Sequence, residues 1–191
     1  MQILPTKALS FLWIIWVISW WAAALWSDRD AKRASSISQA PNQIIVISGA
    51  LLLFGFARLR YHDVLLTPIG EGTAWCMVAL AAAGLSFTWW ARIHLGRLWS
   101  RWVVSKADHR IIQSGPYSVV RHPIYTGIGL AALATAVMYG TGFAYLGAAL
   151  IILSFYIKAR LEEHFLRQEL GAEAYDDYSR RVPMLVPLLR I

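Results

Sequence analysis

The chain has 191 residues, of which 58% are hydrophobic, with a formal net charge of +7 at pH 7 and a mean hydropathy of +0.49. This is too apolar for a soluble domain of this length, so the composition excludes the ordinary soluble classes and predicts an integral membrane protein. The single cysteine excludes an intrachain disulfide.

Five apolar segments approach the roughly 20 residues that cross a bilayer, and we expect each to form a helix. In chain order they are residues 9–26, 44–57, 73–91, 124–139 and 141–157. The first contains five tryptophans and no plausible cleavage context, which favours a retained helix over a signal peptide. The second is short, so a buried or interfacial helix is the alternative. Only Gly140 separates the last two, which predicts a tight helical hairpin.

The third segment contains Cys76, the single cysteine of the chain. Free cysteine behaves as a small hydrophobic side chain, so we expect Cys76 to be a core residue.

Lysine and arginine are distributed unevenly between the two sides of a five-span chain. Of the 18 basic residues, Lys7, Arg58 and Arg60 fall on one side and the remaining 15 on the other. The positive-inside rule therefore places the amino terminus outside and the carboxyl terminus in the cytoplasm. Because these residues flank membrane segments, the charge indicates topology and attraction to lipid headgroups, and it argues against a nucleic-acid partner.

A polar block, residues 92–121, precedes the fourth span and leads into the motif GPYSVVRHPIYTG at residues 115–127. Ionisable groups at the mouth of a membrane helix cost free energy, so their presence indicates a functional site. Ser114, Gly115 and Pro116 predict a turn, and Pro123 suits the first turn of a helix.

A second polar block, residues 158–191, follows the fifth span. We expect that span to continue as a helix to about Leu170, with Gly171 ending it. The tail at residues 182–189 is apolar but is interrupted by two prolines. It is too short to cross a bilayer, so we expect it to lie on the membrane or to fold back over the site.

The two blocks, brought together by the hairpin, would combine two carboxylates, a histidine, several tyrosines and several cations. Such a pocket can hold a charged or zwitterionic cofactor. No phosphate-binding glycine loop or nucleophile elbow is present, and the scattered histidines with one cysteine give no familiar metal-ligand spacing. The alternative is simple anchoring, since Arg, Trp and Tyr border many membrane helices.

The two blocks together resemble the isoprenylcysteine carboxyl methyltransferase family. The resemblance covers residues 97–183 and rests on these positions: His109, Arg110, Ile111, Ile112, Ser114, Gly115, Pro116, Tyr117, Arg121, His122, Pro123, Ile124, Tyr125, Gly127, Glu162, Glu163, Leu166, Gly171, Tyr175, Tyr178 and Pro183. In that family, small all-helical membrane enzymes bind S-adenosylmethionine in a cytoplasmic pocket and methylate a carboxylate on a lipidated substrate.

The resemblance also implies individual roles. The implied cofactor contacts are His109, Arg110, Ile111, Ile112, Tyr117, His122, Pro123, Ile124, Tyr125 and Glu162, with Glu163 as the alternative acid. A substrate-facing arginine of the family aligns with Lys158, which keeps the charge but loses the bidentate grip on a carboxylate. Arg160 is a second candidate for this catalytic role, although it lies off the helix face shared by Lys158 and Glu162.

The predicted fold is therefore all-α, with about five membrane helices in one domain, residues 1–191. Residues 1–72 would hold the first two spans, and residues 73–191 a catalytic core. Its cofactor pocket would be formed on the cytoplasmic side by the loop before the fourth helix and by the C-terminal region. The partners expected are the membrane and a hydrophobic or lipid-linked substrate that enters from the bilayer.

Three alternative functions stay open. An NADPH-dependent isoprenoid or sterol-type reductase would need clustered arginines for phosphate groups, and the paired acids argue against it. A methyltransferase could act instead on a phospholipid amine or a thiol. A scaffold without activity gives no reason for His122 and Glu162 at facing ends of one hairpin.

Overall fold

The computed structural model describes residues 3–24, 32–33, 36–55, 66–96, 104–105 and 112–189. They form the helices α1 (Ile3–Ala24), α2 (Ser36–Leu53), α3 (Glu71–Leu95), α4 (Pro123–Tyr139), α5 (Gly142–Leu170) and α6 (Ala172–Arg181), with a 3-10 helix at Gly115–Ser118. Two-residue strands, β1 (Lys32–Arg33) and β2 (Val104–Ser105), pair antiparallel. Apart from this pairing, which the sequence did not predict, the described residues confirm the all-α class.

Three of the described helices are long and apolar enough to cross a membrane by length and composition. They are Leu4–Ala23, Glu71–Leu95 and Gly142–Gln168. The shorter apolar helices Pro41–Leu53 and Pro123–Tyr139 correspond to the second and fourth predicted spans. An integral membrane protein is therefore supported, while the number of five spans stays a prediction.

The predicted hairpin between the fourth and fifth apolar segments is confirmed. Pro123 is the first residue of α4, where its missing N–H leaves no hydrogen bond unmade. Gly140 ends α4 with a φ of 65°, a left-handed conformation that glycine adopts without steric cost. The Thr141 side chain then accepts a hydrogen bond from the Ala144 amide and begins α5.

Glycine allows the helix backbones to approach closely at two crossings. A Cβ atom on Gly84 of α3 would lie 2.6 Å from the carbonyl oxygen of Gly127 on α4. On the other side of the molecule, a Cβ atom on Gly49 of α2 would lie 2.8 Å from the carbonyl oxygen of Gly147 on α5. Small residues at such crossings give the van der Waals packing that holds membrane helices together.

Hydrogen bonds from two tryptophans attach α1 to this arrangement. The Trp13 indole N–H donates to Thr135 Oγ1 of α4 at 3.0 Å. The Trp16 indole N–H donates to Thr88 Oγ1 of α3 at 2.7 Å. Both threonines are fully buried, so each bond satisfies a polar group inside the helical packing.

Two residues near the ends of the third span differ from expectation. Cys76 is exposed on α3, so the prediction of a core residue is wrong. Arg92, counted among the flanking cations, is fully buried near the end of α3. Its guanidinium donates to the carbonyl oxygens of Gly96 and Ala23, both at 2.7 Å, and so joins the ends of α3 and α1.

Candidate functional site

The two predicted polar blocks meet where α4 begins and α5 continues beyond its apolar stretch. Arg121 and His122 directly precede α4, and Tyr125 lies in its first turn. Glu162 and Glu163 are on the polar part of α5. Because the chain reverses at Gly140, these side chains face one another across the hairpin.

Glu162 lies between groups of both helices. The Tyr125 hydroxyl donates to Glu162 Oε1 at 2.6 Å, and Lys158 Nζ lies 4.0 Å from the same oxygen. His122 Nδ1 lies 3.5 Å from Oε2. The Glu162 side chain remains 21% exposed, so further donors can reach its carboxylate.

Glu163 faces a different set of partners. Arg121 Nε donates to Glu163 Oε1 at 2.7 Å, and His122 Nε2 donates to the same oxygen at 3.2 Å. Both nitrogens of the His122 ring therefore face a carboxylate. Burial disfavours the imidazolium, but the hydrogen bonds and charges of Glu162 and Glu163 outweigh it, so the pKa of His122 is raised above its ordinary value.

The ring of Tyr125 belongs to a run of near-parallel rings. Its centroid lies 5.5 Å from that of His122 at an interplanar angle of 7°, and 4.9 Å from that of Phe155 at 16°. Lys158 Nζ lies 5.5 Å from the Tyr125 centroid, within cation–π range. Since these neighbours cover the ring, Tyr125 contributes its hydroxyl to the site rather than an open aromatic face.

Tyr117 lies deeper, in the 3-10 helix. Tyr178 Oη donates to the Tyr117 carbonyl oxygen at 2.7 Å, and burial raises the pKa of the Tyr117 hydroxyl. The His94 ring of α3 lies 6.4 Å from that of Tyr117 and is close to parallel with it. Gly115, at a φ of 58°, gives His94 its room, since a Cβ there would lie 2.8 Å from the imidazole. Sequence reasoning missed His94, which carries no motif of its own.

A C-terminal strap, residues 183–185, covers the start of α4. The Arg121 and His122 amides donate to the carbonyl oxygens of Pro183 and Met184 at 2.9 and 3.1 Å. Thr126 Oγ1 donates to the Leu185 carbonyl oxygen at 2.6 Å. Of the two predicted positions for the tail, these contacts confirm the one folded back over the polar cluster.

A polar cleft of about 330 Å³ opens on the Glu163 side of α5. It is lined by Arg121, Arg160, Glu163, His164, Arg167, Tyr175, Asp176 and Ser179. Lys158, Tyr125 and Glu162 are not among the lining residues. Arg160 therefore opens onto this cleft, whereas Lys158 lies beside Glu162 and is not part of the lining of the cleft.

The other residues that were predicted to contact the cofactor differ in burial. Pro123 is buried, whereas Ile112 and Ile124 are half-buried. His109, Arg110 and Ile111 lie outside the described residues. Among the residues that the structure describes, no group of three His, Cys, Asp or Glu side chains is arranged to hold a metal ion.

Comparison with known proteins gives the family. The model of the isoprenylcysteine carboxyl methyltransferase family matches residues 77–168, which include Tyr125, Lys158 and both glutamates. The probable protein-S-isoprenylcysteine O-methyltransferase of Oryza sativa subsp. indica is 33% identical over 179 residues, covering 87% of each chain. Protein-S-isoprenylcysteine O-methyltransferase B of Arabidopsis thaliana is 30% identical over 125 residues, covering 65% of this chain and 58% of its own.

A relative whose name gives a different activity matches a shorter stretch. Methanethiol S-methyltransferase 2 of Bradyrhizobium diazoefficiens is 44% identical over 75 residues, covering 38% of this chain and 27% of its own. Both kinds of relative transfer methyl groups by name, and the long match to the rice protein agrees with the family model. The chain therefore belongs to the isoprenylcysteine carboxyl methyltransferase family and is a methyltransferase.

Proposed function

We propose that this protein transfers a methyl group from S-adenosylmethionine to a carboxylate of a hydrophobic or lipid-linked acceptor at the cytoplasmic membrane face. The observation that carries the proposal is the half-buried Glu162, held by Tyr125 and close to Lys158 at the end of an apolar helix. The names of the plant relatives, which specify isoprenylcysteine O-methylation, support a carboxylate acceptor.

The groups around Glu162 suit the amino-acid part of the cofactor. A carboxylate offers about four acceptor positions, and the short hydrogen bond from Tyr125 uses one of them. An ammonium group fits at the others, while the imidazolium form of His122 supplies positive charge for the cofactor's carboxylate. We assign Tyr117 and residues 122–125 to the same pocket, with His109, Arg110, Ile111 and Ile112 completing it.

When bound, S-adenosylmethionine supplies a methyl group already activated by its sulfonium. Glu162 fixes the cofactor end of the pocket, and the Tyr125 hydroxyl holds this carboxylate in one orientation. Lys158, one turn nearer the apolar part of α5, holds the acceptor carboxylate. Because that carboxylate is ionised at pH 7, no general base is required, and catalysis comes from alignment and from exclusion of water.

The acceptor's tail would remain in the bilayer and reach Lys158 sideways between the helices. Recognition of the tail then depends on buried apolar surface, which contributes about 0.8 kcal/mol per CH₂ group. A thiol acceptor is the second candidate, because the bacterial relative named above is a methanethiol S-methyltransferase. A thiol must lose its proton before it attacks, whereas the raised pKa of His122 favours the imidazolium form, which cannot accept that proton.

Ligand-induced stabilisation of the detergent-purified protein tests the cofactor. S-adenosylhomocysteine should raise the thermal midpoint, since a ligand at about 100 times its Kd stabilises the native state by about 2.7 kcal/mol. His122→Ala and Tyr125→Ala should lose most of this shift while remaining folded, whereas Arg180→Ala, at an exposed position, serves as the matched control. Stabilisation by NADPH and not by S-adenosylhomocysteine would refute the proposal.

Methyl transfer from radiolabelled S-adenosylmethionine tests the acceptor. We expect label in a base-labile ester when the acceptor is an S-isoprenylated cysteine with a free carboxylate. The same compound as a methyl ester is the control and should remain unlabelled. Methanethiol and phosphatidylethanolamine are the competing acceptors, and faster labelling of either would replace the carboxylate in the proposal.

A reporter fusion tests the orientation. The uneven distribution of lysine and arginine supports a cytoplasmic carboxyl terminus. A reporter fused at Ile191 should therefore show cytoplasmic activity. Extracytoplasmic activity would remove both the orientation and the cytosolic access to the pocket.

A further inference from the structure

Arg121 joins three segments that are distant in the sequence. It is 9% exposed. Its Nε donates to Glu163 on α5, while Nη1 donates to the carbonyl oxygens of Ser179 at 3.0 Å and Val182 at 2.6 Å. Its own amide donates to Pro183 of the C-terminal strap. The planar guanidinium presents donors in several fixed directions, and here they reach α5, α6 and Val182, the residue directly before the strap.

The contact between Arg121 and Glu163 determines the position of His122. Glu163 Oε1 accepts from Arg121 and from His122 Nε2. With this oxygen held by Arg121, the imidazole is fixed at one nitrogen, and Nδ1 faces Glu162. The Glu163 side chain is 14% exposed and already accepts from two donors, Arg121 and His122. It is therefore poorly suited to receive an ammonium group as well.

We propose that Arg121 is a positioning residue for methyl transfer, which holds Glu163 against His122 and the C-terminal strap against α4. His122 is thereby oriented toward Glu162, the acid assigned to the cofactor. This inference rests on the proposed function for the role of Glu162. It assigns Glu163 to the support of His122 and removes it from the cofactor contacts.

Lysine in place of Arg121 separates geometry from charge. An ammonium group keeps the positive charge beside Glu163 but is a point donor, and it does not span from Glu163 to the carbonyl oxygens of Ser179 and Val182. The set of variants is Arg121→Lys, Arg121→Gln and Glu163→Gln. Arg167→Gln is the matched control, because Arg167 also joins α5 to α6 through Asp176 but contacts neither Glu163 nor His122 among the described residues.

Two measurements detect directly how Arg121 and Glu163 hold His122 and the strap, and neither requires a ligand. Nitrogen-15 spectra of histidine-labelled protein report the protonation of His122, with His122→Gln identifying its resonances. Hydrogen exchange of the Arg121 and His122 amides reports the strap, since both donate to it. We expect faster exchange in Arg121→Lys and Arg121→Gln, and an imidazolium that loses its proton at lower pH in Glu163→Gln.

Binding and turnover then connect the support to the reaction. Arg121→Lys and Arg121→Gln should raise the Kd of S-adenosylhomocysteine by about tenfold, the effect of losing one hydrogen bond to a charged group. Arg121→Gln combined with Glu163→Gln should bind no worse than the weaker single variant, since both changes break one unit. Arg167→Gln should match the wild type in every measurement.

Three outcomes would overturn the proposal. The first is a Kd and a turnover of Arg121→Lys equal to those of the wild type. The second is unchanged exchange of the two amides in Arg121→Lys, and the third is an unchanged His122 titration in Glu163→Gln. If Arg121→Gln does not fold, Arg121→Lys and Glu163→Gln still decide. A wild type that does not bind S-adenosylhomocysteine would refute the proposed function alone, because the spectra and the exchange test the support without a ligand.

Discussion

Glu162 and Glu163 are adjacent in the sequence, but their carboxylates lie on different sides of α5. Glu162 has one short hydrogen bond, from Tyr125, and more distant cations. Glu163 accepts hydrogen bonds from Arg121 and His122 and borders the polar cleft. The neighbouring residues, and not the residue type, therefore leave Glu162 open to a ligand and occupy Glu163 with contacts inside the protein.

Glu162→Gln gives the sharpest test of this difference, and we expect the largest effect from it. Loss of a charged hydrogen-bond acceptor costs about 1.5–3 kcal/mol, so the Kd of S-adenosylhomocysteine should rise about tenfold to a hundredfold. Glu163→Gln should weaken binding less. Isothermal titration of both variants measures this, and equal losses would mean that the two acids share one role.

Lys158→Ala tests whether the cation one turn before Glu162 on α5 binds the acceptor. We expect turnover to fall about tenfold, because the acceptor carboxylate loses a charged partner. The Kd of S-adenosylhomocysteine should stay within about twofold of the wild type. Arg160→Ala should lower turnover less, since Arg160 opens onto the cleft on the other side. Steady-state kinetics with titration decide between the two cations, and a larger loss in Arg160→Ala would reverse the assignment.

The pH dependence of stability tests the residue that contacts both acids. The pKa of His122 is raised in the folded protein, and unfolded histidine titrates near 6.5. The stabilisation from this group is therefore complete below about pH 6.5 and is lost as the pH rises through the folded value. In Glu163→Gln the loss should be smaller and complete at a lower pH, because one carboxylate that raises the folded pKa of His122 is gone.

Thermal midpoints across this pH range measure the effect. His164→Gln, which removes an exposed histidine of α5 next to Glu163, is the control and should follow the wild type. If His122→Gln had the same pH profile as the wild type, His122 would not be the group responsible.

Arg167→Gln should give the smallest effect. Arg167 Nη2 lies 2.7 Å from Asp176 Oδ2, but the side chains are 54% and 36% exposed. Exposed ion pairs of this kind contribute about 0.2–1 kcal/mol, less at higher salt. Thermal unfolding at low and high salt measures it. A loss of stability as large as that in Arg121→Gln would show that any side-chain contact between α5 and α6 contributes equally.

The elements that the sequence predicted well are those fixed by local chemistry. Pro123 marks the start of α4, Gly140 the reversal of the hairpin and Gly171 the end of α5. Each acts through its own backbone conformation, which depends little on the rest of the fold. The meeting of the two polar blocks follows from the hairpin by geometry alone.

The features that the sequence did not predict depend on distant partners or on the direction of a helix face. Lipid and protein interior are both apolar, so hydropathy did not show that Cys76 faces outward. Arg121 was part of the motif, but the partners of its side chain, Ser179 on α6 and Val182 after it, lie about sixty residues away. The pairing of Lys32–Arg33 with Val104–Ser105 involves two residues on each side, too few to give a strand pattern.

The C-terminal strap gives the site an order of assembly during translation. Arg121 is separated by 61 residues from Val182, whose carbonyl oxygen its guanidinium binds. At ~5–20 residues per second, the ribosome needs roughly 3–12 s to make that stretch. The Arg121 and His122 amides acquire their partners only after Pro183 and Met184 have been made. The start of α4 is therefore made several seconds before the residues that cover it.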